Sequence, residues 1–416
     1  MQAPDVTPTP DASHTRADRR LASLDGLRGL AALSIFVFHG WLYTMPEPSA
    51  TQRSTVGEYA VHEFRLGVVL FFVLSGFLLS RPWFSAALDG RPAPSLGRYV
   101  RSRATRILPA YYVALGGSIL LLWGLGGTPG VRLPPADQLP LFFVFGQNFS
   151  PGTVMKLNPP MWTLAIEVSF YALLPAIGWL VLRVAPRRRS LALIPLSLIV
   201  AGTLYNWSIA GQGLSMTFSK TLAATLPYFA LGMLAALVAH RRSIDMRSKR
   251  LLVAAGVALV VADAFAKAAA PANGLDTTLL FSIMRDMPSA AGFALIVGAL
   301  ATAQRSALVG GSVLAAMGTI SYGFYLWHVP VFLVLRGYGL LPLDPVLGTL
   351  AALVPSLAIS VLSWFAIERP VLRWSARRER RGSRLRGGDA GAGGRERPGR
   401  GRGRELGGTE VGTVRA

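Results

Sequence analysis

The sequence predicts an all-α, polytopic membrane protein of about ten transmembrane helices with both termini in the cytoplasm. Three observations lead there. The chain of 416 residues is 52% hydrophobic and only 15% charged, whereas a soluble domain carries about a quarter charged residues. Its charges fall in short runs between apolar stretches long enough to cross a bilayer. The basic runs also alternate from one gap to the next, which sets an orientation.

The first span, at about 27–45, follows Arg16, Arg19 and Arg20. The second, 66–80, leads into Arg81, Arg91, Arg98, Arg101, Arg103 and Arg106, which precede the third at 107–125. The stretch 139–149, "LPLFFVFGQNF", is apolar but too short to span and reads as re-entrant or interfacial. The fourth span, 162–182, ends on Arg183, Arg187, Arg188 and Arg189, and the fifth follows at 191–208. The sixth, 222–239, is followed by Arg241, Arg242, Arg247, Lys249 and Arg250, which open the seventh at 251–268. The eighth, 288–304, precedes Arg305; the ninth and tenth lie at 313–335 and 347–367, before an Arg-rich tail. The other gaps are nearly empty of positive charge. All the clusters therefore fall on one side, which the positive-inside rule makes cytoplasmic. Counting 139–149 as a full span would invert the second half and break the alternation.

Composition excludes several functions. With no cysteine, there is no disulfide, thiolate metal site or cysteine nucleophile, and no metal site is expected. Residues 1–20 lack an apolar core and are not a cleavable signal peptide; they read as a disordered cytoplasmic segment. The net charge of +21 owes much to the tail, where Arg369 to Ala416 hold 14 Arg against five acidic residues. Residues 375–416, rich in Arg and Gly, cannot bury a core and read as disordered. A basic segment beside a membrane suits anionic lipid, and no nucleic-acid partner is expected. The domain plan is thus a membrane domain over 21–374 between two disordered cytoplasmic ends.

Ionisable residues inside spans are costly and mark candidate sites. In "LDGLRGLAALSIFVFHG", residues 24–40, Arg28 and His39 are eleven residues apart. They share a helix face and lie about 16 Å apart along its axis. Arg28 suits the cytoplasmic edge. His39 lies about 18 Å from the Leu27 end, past the midplane, and reads either as an interhelical packing histidine or as part of a site. In "MWTLAIEVSFYALLP" Thr163, Glu167 and Phe170 or Tyr171 fall on one face, with Glu167 about 8 Å below the outer end. A carboxylate there needs a partner or a proton. In "ISYGFYLWHVPVF" Ser321, Tyr325 and His328 form a stripe, either an aromatic belt or part of a site, and Pro330 is placed to kink the helix. Ser75-Gly76 in "LFFVLSGFLLS" suits close helix packing. Arg103 and Arg106, three apart where the third span begins, either anchor lipid phosphate or clamp the phosphates of a ligand.

Taken in order, these segments resemble the membrane-bound acyltransferase 3 family. The opening motif is an Arg, ten residues, then a His. "FFVLSGFLL", the Arg103-x-x-Arg106 pair, "MWTLAIEVSFYALLP", "SYGFYLWHVPV" and the closing "IERP" at 367–370 follow in the family's order. The resemblance covers about 21–374. Singly the motifs are weak; their order is specific.

The resemblance implies an integral enzyme of a bacterial plasma membrane that moves an acyl group from acyl-CoA, acetyl-CoA foremost, to a hydroxyl. The acceptor would be a sugar, a surface glycan, a glycolipid or a macrolide. It implies His39 as the essential catalytic base, Arg28 as its companion, Arg103 and Arg106 as a CoA-binding pair, and Glu167 as the acidic position. Glu167 would orient the imidazole or stabilise imidazolium. Ser75, Tyr325 and His328 would support the oxyanion. Membrane lipid is the remaining partner, and no bound cofactor is implied. The competing class is a proton-coupled secondary transporter using intramembrane His and Glu. It would favour an internal repeat, and none is visible in the sequence.

Overall fold

A computed structural model of the protein describes residues 12–48, 55–184, 186–210, 212, 216–272, 280, 283–302 and 312–378. Among these, ten long helices occur and no strand. They are α1 (Ala12–Thr44), α2 (Gly67–Asp89), α3 (Leu96–Leu122), α4 (Met161–Arg183), α5 (Arg188–Ile209), α6 (Leu222–Ala239), α7 (Met246–Ala272), α8 (Met287–Thr302), α9 (Ser312–Gly337) and α10 (Pro345–Ser363). Each of the ten apolar segments read from the sequence lies largely within one of them. Eight described helices are long and apolar enough to cross a membrane. At 16 residues α8 is shorter, and α1 falls outside the eight because Arg28 and His39 dilute its apolar run. The 139–149 segment does not span. It forms a short helix, Pro140–Phe143, and a 3-10 turn, Gln147–Phe149.

Two boundaries differ from the sequence reading. Residues 12–20 continue α1 instead of being disordered; their Ala- and Arg-rich composition favours a helix already nucleated downstream. The packed unit runs to Val371 and a second comprises Leu372–Ala416, helical as far as Arg378. The disorder expected over 1–11 and 379–416 lies outside the described residues.

Helix contacts follow the small residues. α1 packs on α9 and α10, α2 on α6, and α7 on α8. Gly76 of α2 faces the Phe229 carbonyl of α6, and Gly232 of α6 faces the Val73 carbonyl of α2, so a Cβ at either site would strike backbone. Gly29 of α1 and Gly318 of α9 form a similar reciprocal crossing against the Leu314 and Asp25 carbonyls. Without a hydrophobic drive between helices in lipid, such close approach supplies the packing energy. α5 and α7 lie outermost, exposing Leu193, Leu204, Leu251, Val261 and Phe265, as helices in contact with lipid tails would.

Prolines inside helices remove donors, and the missing bonds are supplied from elsewhere. Pro330 in α9 cannot donate to the Leu326 carbonyl; the Asn158 side-chain amide does so at 2.9 Å. Pro175 in α4 leaves the Tyr171 carbonyl, which the Tyr99 hydroxyl reaches at 3.1 Å. Both substitutes come from neighbouring segments, so each proline adds a cross-link between helices.

The two ends of the bundle differ in charge. The turns joining α2 to α3, α4 to α5 and α6 to α7, together with the helix ends beside them, carry the arginine runs. Cations exist at the opposite end too, contrary to a strict alternation, but several are neutralised locally. Arg336 donates to the carbonyls of Tyr43, Met45 and Pro46 at 2.6 Å. Arg65 pairs with Asp286 and Glu63 at 2.8 and 3.2 Å.

Candidate active site

His39 on α1 and His328 on α9 meet inside the bundle, 9% and 1% exposed. His39 Nδ1 and His328 Nε2 are 2.9 Å apart. His328 Nδ1 is 3.0 Å from the Phe324 carbonyl oxygen one turn back. A carbonyl only accepts, so His328 Nδ1 carries a proton and its Nε2 a lone pair. His39 Nδ1 must then be the donor across the 2.9 Å contact, which leaves a lone pair on His39 Nε2. The backbone of α9 thus sets the tautomer of both rings, as a carboxylate does in a triad. Tyr43 stacks on His39 with ring centroids 5.7 Å apart, and Phe324 stacks on His328 at 6.1 Å.

A cavity of about 100 Å3 lies between α1, α2, α3, α4 and α9. Arg28, Arg103 and Arg106 line one part of it, and Thr163 and Tyr325 another. The Tyr325 hydroxyl bonds Thr163 Oγ1 at 2.9 Å and the Pro160 carbonyl at 3.2 Å. Its ring stands 5.8 Å from that of His328. Tyr325 therefore connects the cavity wall to the histidine pair.

Glu167 lies in the cavity wall. Ser75 Oγ and the Tyr171 hydroxyl both donate to its Oε1, at 2.9 and 2.6 Å. The sequence reading had Glu167 orient the His39 imidazole or stabilise its imidazolium. The structure gives that hydrogen bond to His328 and gives Glu167 two hydroxyl partners. Ser75, read as a packing or oxyanion group, is one of them, while the neighbouring Gly76 makes the close contact. Hydropathy and helical spacing could not separate these assignments, because they depend on which helices are neighbours.

The arginines are poorly neutralised. Arg28 pairs with Asp25 at 3.1 Å, both about one-third exposed, a weak contact in stability terms. Arg103 donates to Ser102 Oγ at 3.0 Å, and its guanidinium lies 5.9 Å from the Tyr171 ring centre. Its Nε is buried without a partner. Three cations lining a small cavity with one paired carboxylate form a site suited to an anion.

One cluster was missed. Lys267 of α7 bonds Asp263 at 2.8 Å and Asp286 at 2.7 Å, Arg65 bonds Asp286, and Ser289 donates to Asp263. This network joins the start of α2 to α7 and α8. Its signal was present in the sequence, since Asp263 and Lys267 lie one turn apart within an apolar span. Asn158, which supports α9 beside His328, carried no such signal.

The architecture is that of a polytopic membrane protein with a buried histidine pair at its centre. The acyltransferase domain profile of the acyltransferase 3 family matches residues 21–365, and the chain belongs to that family of membrane acyltransferases. It is 27% identical over 318 residues to the exopolysaccharide production protein ExoZ of Rhizobium meliloti (strain 1021), covering 75% of this chain and 92% of that protein. It is 29% identical over 343 residues to the acyltransferase MdmB of Streptomyces mycarofaciens, covering 77% of this chain and 80% of MdmB. It is 24% identical over 384 residues to the O-acetyltransferase OatA of Staphylococcus aureus, covering 85% of this chain and 57% of OatA. No solved structure matches. Family membership favours transfer chemistry over the transporter reading.

Proposed function

We propose that the protein is an acyl-CoA-dependent O-acyltransferase of the bacterial plasma membrane, with acetyl-CoA the foremost donor. The observation that carries this reading is the histidine relay, which leaves a lone pair on His39 Nε2 in a buried setting. The donor's phosphates would meet Arg103 and Arg106, with Arg28 beside them, and the thioester arm would extend along the cavity toward Tyr325. The acceptor hydroxyl attacks the thioester carbonyl carbon while His39 Nε2 takes its proton. The carbon–sulfur bond then breaks and the CoA sulfur leaves with that proton. His328 stabilises the transient imidazolium by accepting from His39 Nδ1–H. Tyr325 and Ser75 would supply hydroxyls to the reacting carbonyl by turning their single protons away from Thr163 or Pro160 and from Glu167, and in the resting arrangement Glu167 holds Ser75 and Tyr171 in place.

The acceptor is a hydroxyl of a surface glycan, a glycolipid or a macrolide. The names of ExoZ and MdmB's class of protein support acyl transfer in an exopolysaccharide or related setting, and OatA supports O-acetylation. The test is CoA release by detergent-purified protein given acetyl-CoA and candidate acceptors, alongside mass spectrometry of glycans, lipids and secreted products from cells with and without the chain. Arg103→Gln with Arg106→Gln should raise the donor KM by about tenfold or more per arginine, since charge-assisted contacts contribute about 1.5–3 kcal/mol each. The acceptor KM should stay constant. An unchanged donor KM in monodisperse protein would remove the arginine pair from the donor site.

A further inference from the structure

α7 is fastened to the bundle along one side. It packs on α8 and on the short helix Val56–His62. Gly256 of α7 and Gly292 of α8 face each other's carbonyls, so a Cβ on either would strike backbone. At the end away from the arginine runs, Lys267 and Asp263 join α7 to Asp286 and Ser289. The side of α7 turned toward α1 and α2 is left open. A cleft of about 1140 Å3 lies there, with α8 closing its back. It is more than ten times the volume of the cavity beside Glu167.

The walls of the cleft are apolar, with Leu30, Leu70, Val257, Val261 and Phe293 among them. Ser34 also lines it, but its hydroxyl donates to the Ala31 carbonyl of its own helix at 2.9 Å. Glu63 is the one acid among the described lining residues, and Arg65 and His62 already hold it at 3.2 and 2.9 Å. The two cations of the lining, Lys249 and Arg250, stand near the start of α7, at the arginine-rich end. Lys249 and Val261 are twelve residues apart, about 18 Å along the helix axis. Half of a bilayer's hydrocarbon core is about 15 Å. The cleft therefore has the depth of one leaflet, with its cations at headgroup level.

Water is disfavoured against such walls, so in a bilayer the cleft fills with hydrocarbon. The chains of any lipid satisfy the walls. The cations select among lipids, because Lys and Arg at the membrane surface favour anionic headgroups. We propose that the cleft is a binding site for an anionic phospholipid of the leaflet at the arginine-rich end, with its phosphate on Lys249 and Arg250 and its chains between α1, α2 and α7. Leu27 and Ala31 of α1 line the cleft, while Arg28 lines the cavity. A lipid seated there supports α1 on the side away from Arg28. The site does not depend on the transfer chemistry proposed above.

The experiment is native mass spectrometry of delipidated, detergent-solubilised full-length protein titrated with phosphatidylglycerol or with zwitterionic phosphatidylcholine. The unaltered chain should retain one phosphatidylglycerol at amounts where phosphatidylcholine leaves it bare. Lys249→Gln with Arg250→Gln should raise the half-saturating amount by about tenfold or more, as expected for two headgroup contacts. Arg242→Gln with Arg247→Gln removes the same charge from the same end of the bundle but outside the cleft, and should shift it by less than about twofold. Val257→Trp fills the cleft and keeps both cations. It should weaken retention as strongly as the first pair, which separates a seated lipid from one held by surface charge alone. Each variant is compared as monodisperse protein with an unchanged melting temperature in lipid-free detergent. Equal retention of the two lipids overturns the proposal, as does unchanged retention in the Lys249→Gln, Arg250→Gln protein or in Val257→Trp. A two-chain mass that Val257→Trp abolishes would assign the cleft to a second copy and overturn it too.

Discussion

Single side chains carry the proposed chemistry, and the histidine pair is its centre. The Phe324 carbonyl holds the proton on His328 Nδ1, and that proton in turn decides which nitrogen of His39 can act as a base. We expect His39→Ala to abolish acyl transfer while leaving the protein inserted, since general-base catalysis contributes about 10²–10⁴ in rate. His328→Ala should lower kcat by a smaller factor and leave the KM for both substrates unchanged, because His328 acts through its neighbour. Turnover by His39→Ala near the unaltered level would return that residue to a packing role. Glu167→Gln should be milder than His39→Ala. It keeps an acceptor oxygen for Ser75 and Tyr171 but weakens both bonds by removing the charge. The residues of this site could be picked out of the sequence, because ionisable and hydroxylic groups inside apolar runs stand out. Their partnerships could not, because Glu167 and His328 are equally plausible neighbours of His39 until α9 is known to lie against α1.

Helices were legible where hydropathy alone determines them. All ten emerged, and the stretch 139–149 was rightly kept from becoming an eleventh. Ends were less so: polar helix, as at residues 12–20, looks like coil when only apolar length is counted. Kinks and crossings sit between these cases. Pro330 signalled a broken bond in α9, yet the donor that replaces it comes from a loop residue, Asn158, with nothing in its context to mark it. Asn158→Leu should therefore destabilise the protein by about 1–3 kcal/mol by leaving the Leu326 carbonyl buried and unpaired. The readout is thermal unfolding in detergent, where an unchanged midpoint would show that the carbonyl finds another donor. At the α2–α6 crossing the requirement is steric. Gly232→Val would drive a branched side chain into the Val73 backbone. It should separate the two helices, seen as aggregation or loss of monodisperse protein, whereas Gly97→Ala, with open space around it, should be silent.

At the scale of the whole bundle, the proposed donor site requires an orientation, since acyl-CoA is made in the cytoplasm and Arg28, Arg103 and Arg106 lie toward the arginine-rich end. The positive-inside rule counts Lys and Arg near the ends of spans, largely regardless of nearby acids. At the opposite end Arg65 and Lys267 are already held by Asp263, Asp286 and Glu63, and Arg336 by three carbonyls. Those cations are fewer than the arginine runs at the other end, so the imbalance seen in the sequence survives in the fold. The absence of cysteine makes the orientation directly measurable, because single cysteines can be introduced without removing others. Ser243 lies in the exposed loop after α6, beside the arginine run, and Gly127 in the exposed loop after α3 at the other end. A membrane-impermeant maleimide applied to intact cells should label Gly127→Cys and spare Ser243→Cys until the membrane is opened. The reverse pattern would put the arginine pair outside the cell, away from acyl-CoA, and would overturn the donor site along with the topology. Labelling of both in intact cells would mean that one of the intervening helices, α4, α5 or α6, does not cross.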